Sequence, residues 1–231
     1  MIGGEIVSKK KIKEMKMPNY SIEEEKGNMW SHIIGVLIGI SSLIFFLIFG
    51  IQKGIEGYQV VSLVIYSLSM IVLYGASSLY HGLNKKSYKK KVMRIIDHCT
   101  VFILIAGTYT PISVIGLPSN IMLIILLIEW IGAFIGIALN IYDLSNKAFL
   151  IISMVLYLVM GWAIIVVPNI KDILPSQSFI WILLGGISYT LGTIFYGLGH
   201  NKKWFHTIFH VFCIVATILQ EVGIIIMLLN L

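Results

Sequence analysis

Seven apolar runs, each about long enough to cross a bilayer, dominate this sequence and leave little else for the chain to fold into. They occupy residues 33–51, 58–80, 95–117, 119–142, 148–167, 178–198 and 205–231. A helix needs about 20 mainly apolar residues to cross a hydrocarbon core. Inside lipid, only a helix or a closed barrel satisfies its own backbone polar groups. Of the 231 residues, 58% are hydrophobic and 12% charged, about half the charged share of an ordinary soluble domain. The expected fold is therefore all-α, a seven-transmembrane helix bundle over residues 31–231 behind a basic N-terminal tail, residues 1–30. The connections are short and carry turn chemistry, with Gly54 and Gly57, then Pro118-Ser119-Asn120, then Pro168-Asn169 and Pro175. Consecutive helices are thus expected as antiparallel neighbours. Pro118 and its polar followers argue that the third and fourth runs are two helices with a turn between them.

Charge sets the expected orientation. Fifteen of the 17 Lys and Arg residues fall on one side of a seven-span chain. They lie in the tail, in the loop holding Lys85 to Arg94, at Lys147, and at Lys202 and Lys203. Only Lys53 and Lys171 fall on the other. Positive loops stay inside, so the N-terminus is expected in the cytoplasm and the C-terminus outside. The net charge of +6 then reads as membrane topology, with no nucleic-acid partner. The tail is too polar for a signal peptide; it reads as a flexible arm or a surface helix on anionic lipid. Lys- and Ile-rich composition and small size fit a bacterial plasma membrane. Cys99 and Cys213 fall in apolar runs and read as buried small hydrophobes.

All six histidines fall near the basic ends of the spans. His206 and His210 are four residues apart, which puts them on one helix face. His81, at the end of the second span, can meet them at the same depth. Asp97 opens the third span in the same layer. Three histidines beside a carboxylate in a low-dielectric setting suit a zinc ion with one open position. His81, His206 and His210 are the expected ligands, Asp97 the general base acting on water. Ser77, one turn before His81, can donate to a substrate carbonyl or to that water. His98 reads as a neighbour of the ligands, His32 and His200 as interfacial polar residues, and Cys213 as core. Glu129 and Glu221 either line a polar cavity leading away from the metal or sit protonated against Ser, Thr or Gln neighbours such as Gln220. The pairs Gly35/Gly39 and Gly132/Gly136 read as small-residue faces for close helix approach.

The segments Ser77-Ser-Leu-Tyr-His81, Asp97-His98 and His206-Thr-Ile-Phe-His210 resemble the hemolysin III family. So do Glu24-Glu25-Lys-Gly-Asn28-Met-Trp-Ser31-His32 and Leu104-Ile-Ala-Gly-Thr-Tyr-Thr-Pro111. That family is related to the progestin and adipoQ receptors, including the adiponectin receptors, and more distantly to alkaline ceramidases. The resemblance covers the chain from Glu24 onward. It implies seven helices, a cytoplasmic N-terminus and a zinc site at His81, His206 and His210, with Ser77 and Asp97 nearby. Two departures stand out: Thr207 where many relatives carry Glu, and Gln220 where many carry His. Together these readings lead to a zinc-dependent membrane hydrolase of lipid amides or esters, acting on an acyl-chain substrate or releasing a free fatty acid. The rival readings are a sensor of membrane composition with structural zinc, a hemolytic pore and a metal or proton transporter. The pore reading conflicts with a chain too apolar to be secreted in soluble form. The transporter reading needs polar groups in the outer half that the sequence scarcely provides.

Overall fold

The computed structural model describes residues 9–199 and 202–231. Among them there are helices and no strands. In order they are α1 (Lys9–Glu14), α2 (Ile22–Lys53), α3 (Gly57–Gly82), α4 (Tyr88–Gly116), α5 (Ser119–Asp143) and α6 (Lys147–Gly161). A 3₁₀ turn (Ala163–Val166) follows, then α7 (Ile170–Ile173), α8 (Ser176–Leu198) and α9 (Phe205–Leu229). Six of these, α2 to α5, α8 and α9, are long and apolar enough to cross a membrane. Outward faces carry apolar side chains such as Leu37, Ile44, Leu127 and Phe134, as lipid contact requires. Sequential helices pack as neighbours, and α2 against α9 brings the two ends of the bundle together.

The helix ends follow local chemistry. Helix α2 starts eleven residues before its apolar run. Ser21 accepts from the Glu24 amide while the Glu24 carboxylate accepts from the Ser21 amide, a complete capping box. Glu23, Glu24 and Glu25 fill the first turn, where the helix dipole favours anions. Gly54 ends the helix in the left-handed region, φ 62°. Pro118 caps α5, so the third and fourth runs are separate helices, as their sequence indicates.

The run at 148–167 is not one continuous α-helix. Its α-helical part, α6, has 15 residues and rises about 22 Å, short of the roughly 30 Å hydrocarbon core. The interruption has a cause in α4. The Tyr109 hydroxyl donates to the Gly161 carbonyl (3.0 Å) and accepts from the Ile164 amide (2.9 Å). It replaces the backbone partners of a regular helix, and the chain continues as the 3₁₀ turn.

The glycine pairs are seats for large side chains. A Cβ on Gly35 would lie 2.5 Å from Tyr74 Cγ, and one on Gly136 would lie 2.0 Å from Phe102 Cζ. Both aromatic side chains are fully buried. The tail is not a free arm over its described length. Ile12 and Met15 are buried in a cluster with Ile95, Cys99 and Leu144. Lys91 donates to the Lys13 carbonyl, and Arg94 to that of Lys16 at 2.9 Å.

Candidate metal centre

Two helices deliver the histidines. His81 is the penultimate residue of α3, while His206 and His210 occupy the first two turns of α9. All three are buried, and one ring nitrogen from each lies within 4.8 Å of the others. Hydrogen-bond partners fix which nitrogens face inward. His81 Nδ1–H donates to Glu25 Oε2 at 2.7 Å. The Asn28 amide nitrogen, 3.5 Å from that Nδ1, is too distant to compete. His81 Nε2 is buried and has no hydrogen-bond partner. His210 Nδ1–H donates to the Asn28 carbonyl, with Ser31 Oγ also at 3.2 Å. That leaves His210 Nε2 as a lone pair, facing His206 Nε2 at 3.1 Å. Convergent imidazole lone pairs repel one another unless a proton or a cation stands among them. The donor set, three convergent imidazoles of which His81 and His210 have their Nδ1 tied down, therefore fits a divalent metal of the zinc type.

The surrounding network reaches into residues that sequence reasoning assigned to the tail. Glu25 bridges His81 and Lys90, its other oxygen lying 2.9 Å from Lys90 Nζ. Lys90 is buried and also donates to the carbonyls of His81 and Leu83. Asn28 is fully buried and accepts from the Thr207 hydroxyl at 2.6 Å. Thr207, a departure from the resemblance, thus joins α9 to α2. Glu24 accepts from the Trp204 amide at 2.9 Å and fastens the same two helix ends. Glu25, Asn28 and His32 are three and four residues apart on α2, a one-face spacing that could have drawn attention to them. Tyr20 stacks on His206 with centroids 4.8 Å apart. Burial, with Tyr80 nearby, holds its phenol well above the ordinary range, so the ring covers the site in neutral form.

Asp97 and Ser77 line a cavity that also reaches His206 and His210. Asp97 has Ser77, His81 and Arg94 as electrostatic neighbours and stands outside the cluster of three rings. The volume open to the centres of water molecules is about 170 Å³. On α4 the lining runs from Arg94 past Asp97 to Tyr109, and from Asp97 to Tyr109 it covers about 18 Å of helix rise. Between its polar ends the wall is apolar, with Leu73, Val101, Leu104 and Leu158 among its residues.

Other sequence expectations fare differently. His32 is not interfacial: it is 4% exposed and stacks on His210 with centroids 3.6 Å apart. Neither of its ring nitrogens has a hydrogen-bond partner. His98 lines the cavity, and Cys213 is buried and free of a disulfide. His200 lies outside the described residues. Glu129 and Glu221 do not extend the cavity. Glu129 is fully buried on α5, with both oxygens unpartnered. Glu221 accepts from Ser42 of α2 at 2.5 Å, in a separate groove between α2 and α9.

A family model described as haemolysin-III related matches residues 20–221. The chain belongs to that family. The haemolysin-III-related match takes in Glu25, Asn28, His81, Asp97, His206 and His210. A hemolysin-3 homolog of Bacillus subtilis (strain 168) is 38% identical over 84% of this chain and 89% of its own length. The hemolysin-3 of Bacillus cereus is 34% identical over 83% of this chain and 85% of its own. An adiponectin receptor protein of Drosophila melanogaster is 23% identical over 89% of this chain, which spans about half (51%) of that longer receptor.

Proposed function

We propose that this multi-pass membrane protein is a zinc-dependent hydrolase of lipid amide or ester bonds, serving membrane lipid homeostasis. The observation that carries the reading is the convergence of His81, His206 and His210 at the head of a cavity with apolar walls and a carboxylate in its lining. Zinc held by these residues would supply a Lewis acid for the scissile carbonyl and lower the pKa of water. The chain's own groups do the rest. Asp97 offers a carboxylate to take a proton from water and return it to the leaving group. Ser77 offers a hydroxyl beside Asp97. Glu25 keeps the Nδ1 proton on His81, so that Nε2 remains a ligand. Leu73, Val101 and Leu104 receive an acyl chain, while Tyr20 shields the head of the cavity from bulk water. Topology completes the reading. With α6 and its 3₁₀ extension as a further pass, the chain crosses seven times. The Lys and Arg bias then supports an N-terminus and histidine layer at the cytoplasmic face, in our reading that of a bacterial plasma membrane.

The test is the metal content of the purified protein, followed by assays on a panel of lipid amides and esters. About one zinc per chain, lost in His206→Ala/His210→Ala, with turnover lost in a folded His81→Ala variant, is the expected result. A folded preparation, made without chelator and holding no metal, would overturn it. The similarity to an adiponectin receptor favours a second reading, a sensor of membrane composition with structural zinc. Zinc at one per chain without turnover, together with altered membrane fluidity on deletion, would select that reading. The names of the two Bacillus relatives suggest hemolysis. Lysis of target cells by purified protein, free of detergent, would be needed to support a pore.

A further inference from the structure

Deep in the cavity stands an amide without a partner. Gln220, on α9, lines the cavity and is 8% exposed. Its carboxamide makes no hydrogen bond to any described residue, although it carries two donors and an acceptor. Polar residues that share the lining are occupied. The Thr190 hydroxyl donates to the Gly186 carbonyl and accepts from Trp162, while the Tyr189 hydroxyl bonds Thr217. The Gln220 stem is fixed by packing across Gly185, where a Cβ would come within 2.4 Å of its Cγ. The residue lines the cavity, where its donors and acceptor are available to a ligand oxygen at that depth.

From this we infer that Gln220 recognises an oxygen substituent on the ligand's chain: the structure assigns to the cavity a long acyl group with a hydroxyl or oxo function far from its carboxyl end. The inference rests on the acyl-chain cavity proposed above, and the helix geometry gives the position. Gln220 is ten residues beyond His210 on α9, about 15 Å along the axis. An extended hydrocarbon advances about 1.25 Å per carbon, given a C–C bond of about 1.52 Å. With the carboxyl carbon among the histidines, the substituent falls near the tenth to thirteenth carbon. A hydroxyl there both donates to and accepts from the carboxamide, which a methylene cannot do. Unlike a simple apolar wall, such a site favours the chain that carries the oxygen over the analogue lacking it.

The experiment measures displacement of a fluorescent fatty acid from the purified full-length protein in lipid nanodiscs. The competitors are stearate, stearate hydroxylated at its twelfth carbon and stearate hydroxylated at its second. The twelfth-carbon acid is expected to bind about 3- to 10-fold tighter than stearate, the net worth of one or two hydrogen bonds. The second-carbon acid should show no such gain. Gln220→Met keeps the stem over Gly185 and removes the amide. It should bind stearate at least as well as the parent chain and lose the preference. Equal binding of all three acids by the unaltered protein overturns the inference and leaves the acyl-chain reading standing. A preference that persists in a folded Gln220→Met variant does the same. If none of the three displaces the probe, the acyl-chain cavity and this inference fall together.

Discussion

Replacing Glu25 tests whether the metal centre extends beyond its three rings. Its carboxylate takes one hydrogen bond from His81 Nδ1 at 2.7 Å and one from Lys90 Nζ at 2.9 Å. In Glu25→Gln only one oxygen remains, and the new NH₂ opposes a donor on whichever side it faces. Loss of such a support typically costs 10- to 100-fold in metal affinity, or about 1.4–2.8 kcal/mol at 1.4 kcal/mol per tenfold. Glu25→Ala goes further, because it strips the anion from a lysine whose side chain is 2% exposed. Breaking a buried pair costs about 3–5 kcal/mol. Lys90 keeps the carbonyls of His81 at 3.3 Å and Leu83 at 3.1 Å, so the low end applies. Adding Lys90→Met to Glu25→Ala removes the stranded charge and should recover most of the stability, but not the metal affinity. Competition titration against a chromogenic chelator reads the affinity, and thermal unfolding in detergent reads the stability. A folded Glu25→Gln protein that holds zinc within twofold of the parent would refute the reasoning.

Metal should also matter to the fold, because the candidate ligands come from both α3 and α9. At free zinc a hundredfold above its dissociation constant, binding contributes about 2.7 kcal/mol, so chelation should lower the melting temperature unless His206 and His210 are already replaced. Tyr20→Ala should loosen the segment over the site by about 0.5–1.5 kcal/mol of ring stacking, seen as faster proteolysis within residues 9–21 and faster metal loss to chelator. Gly136→Ala drives a Cβ to 2.0 Å from Phe102 Cζ and should cost about 1–3 kcal/mol by overpacking. Gly197→Ala meets nothing within 4 Å and should cost nothing, or gain up to about 1 kcal/mol in helix propensity; equal melting temperatures for the two variants would contradict the packing described.

What the sequence could and could not disclose follows the range of the forces involved. Apolar runs and capping residues act locally, so the long helices and the Pro118 turn were legible. The histidine trio was legible for a related reason: a four-residue spacing on one helix and a third histidine at a span end need only a common depth to meet. The break after Gly161 was not, because its cause is Tyr109, a hydroxyl some fifty residues away in sequence. Glu25 was hidden in a charged segment that looked like solvent-exposed tail, although the capping box at Ser21 makes that segment the first turn of α2. The acids stayed open between a cavity lining and a bond to a polar neighbour, because helical spacing sets their height and not which neighbour they face; Glu221 takes the second course. Glu221 does share a face with His210 by helical spacing, yet that side of α9 meets α2 and ends at Ser42. Gln220, one residue earlier and about 100° around the helix, faces the cavity instead. A single-residue rotation therefore separates a carboxylate bonded within the bundle from an amide left free for a ligand, and only the packing of α9 against both neighbours decides between them.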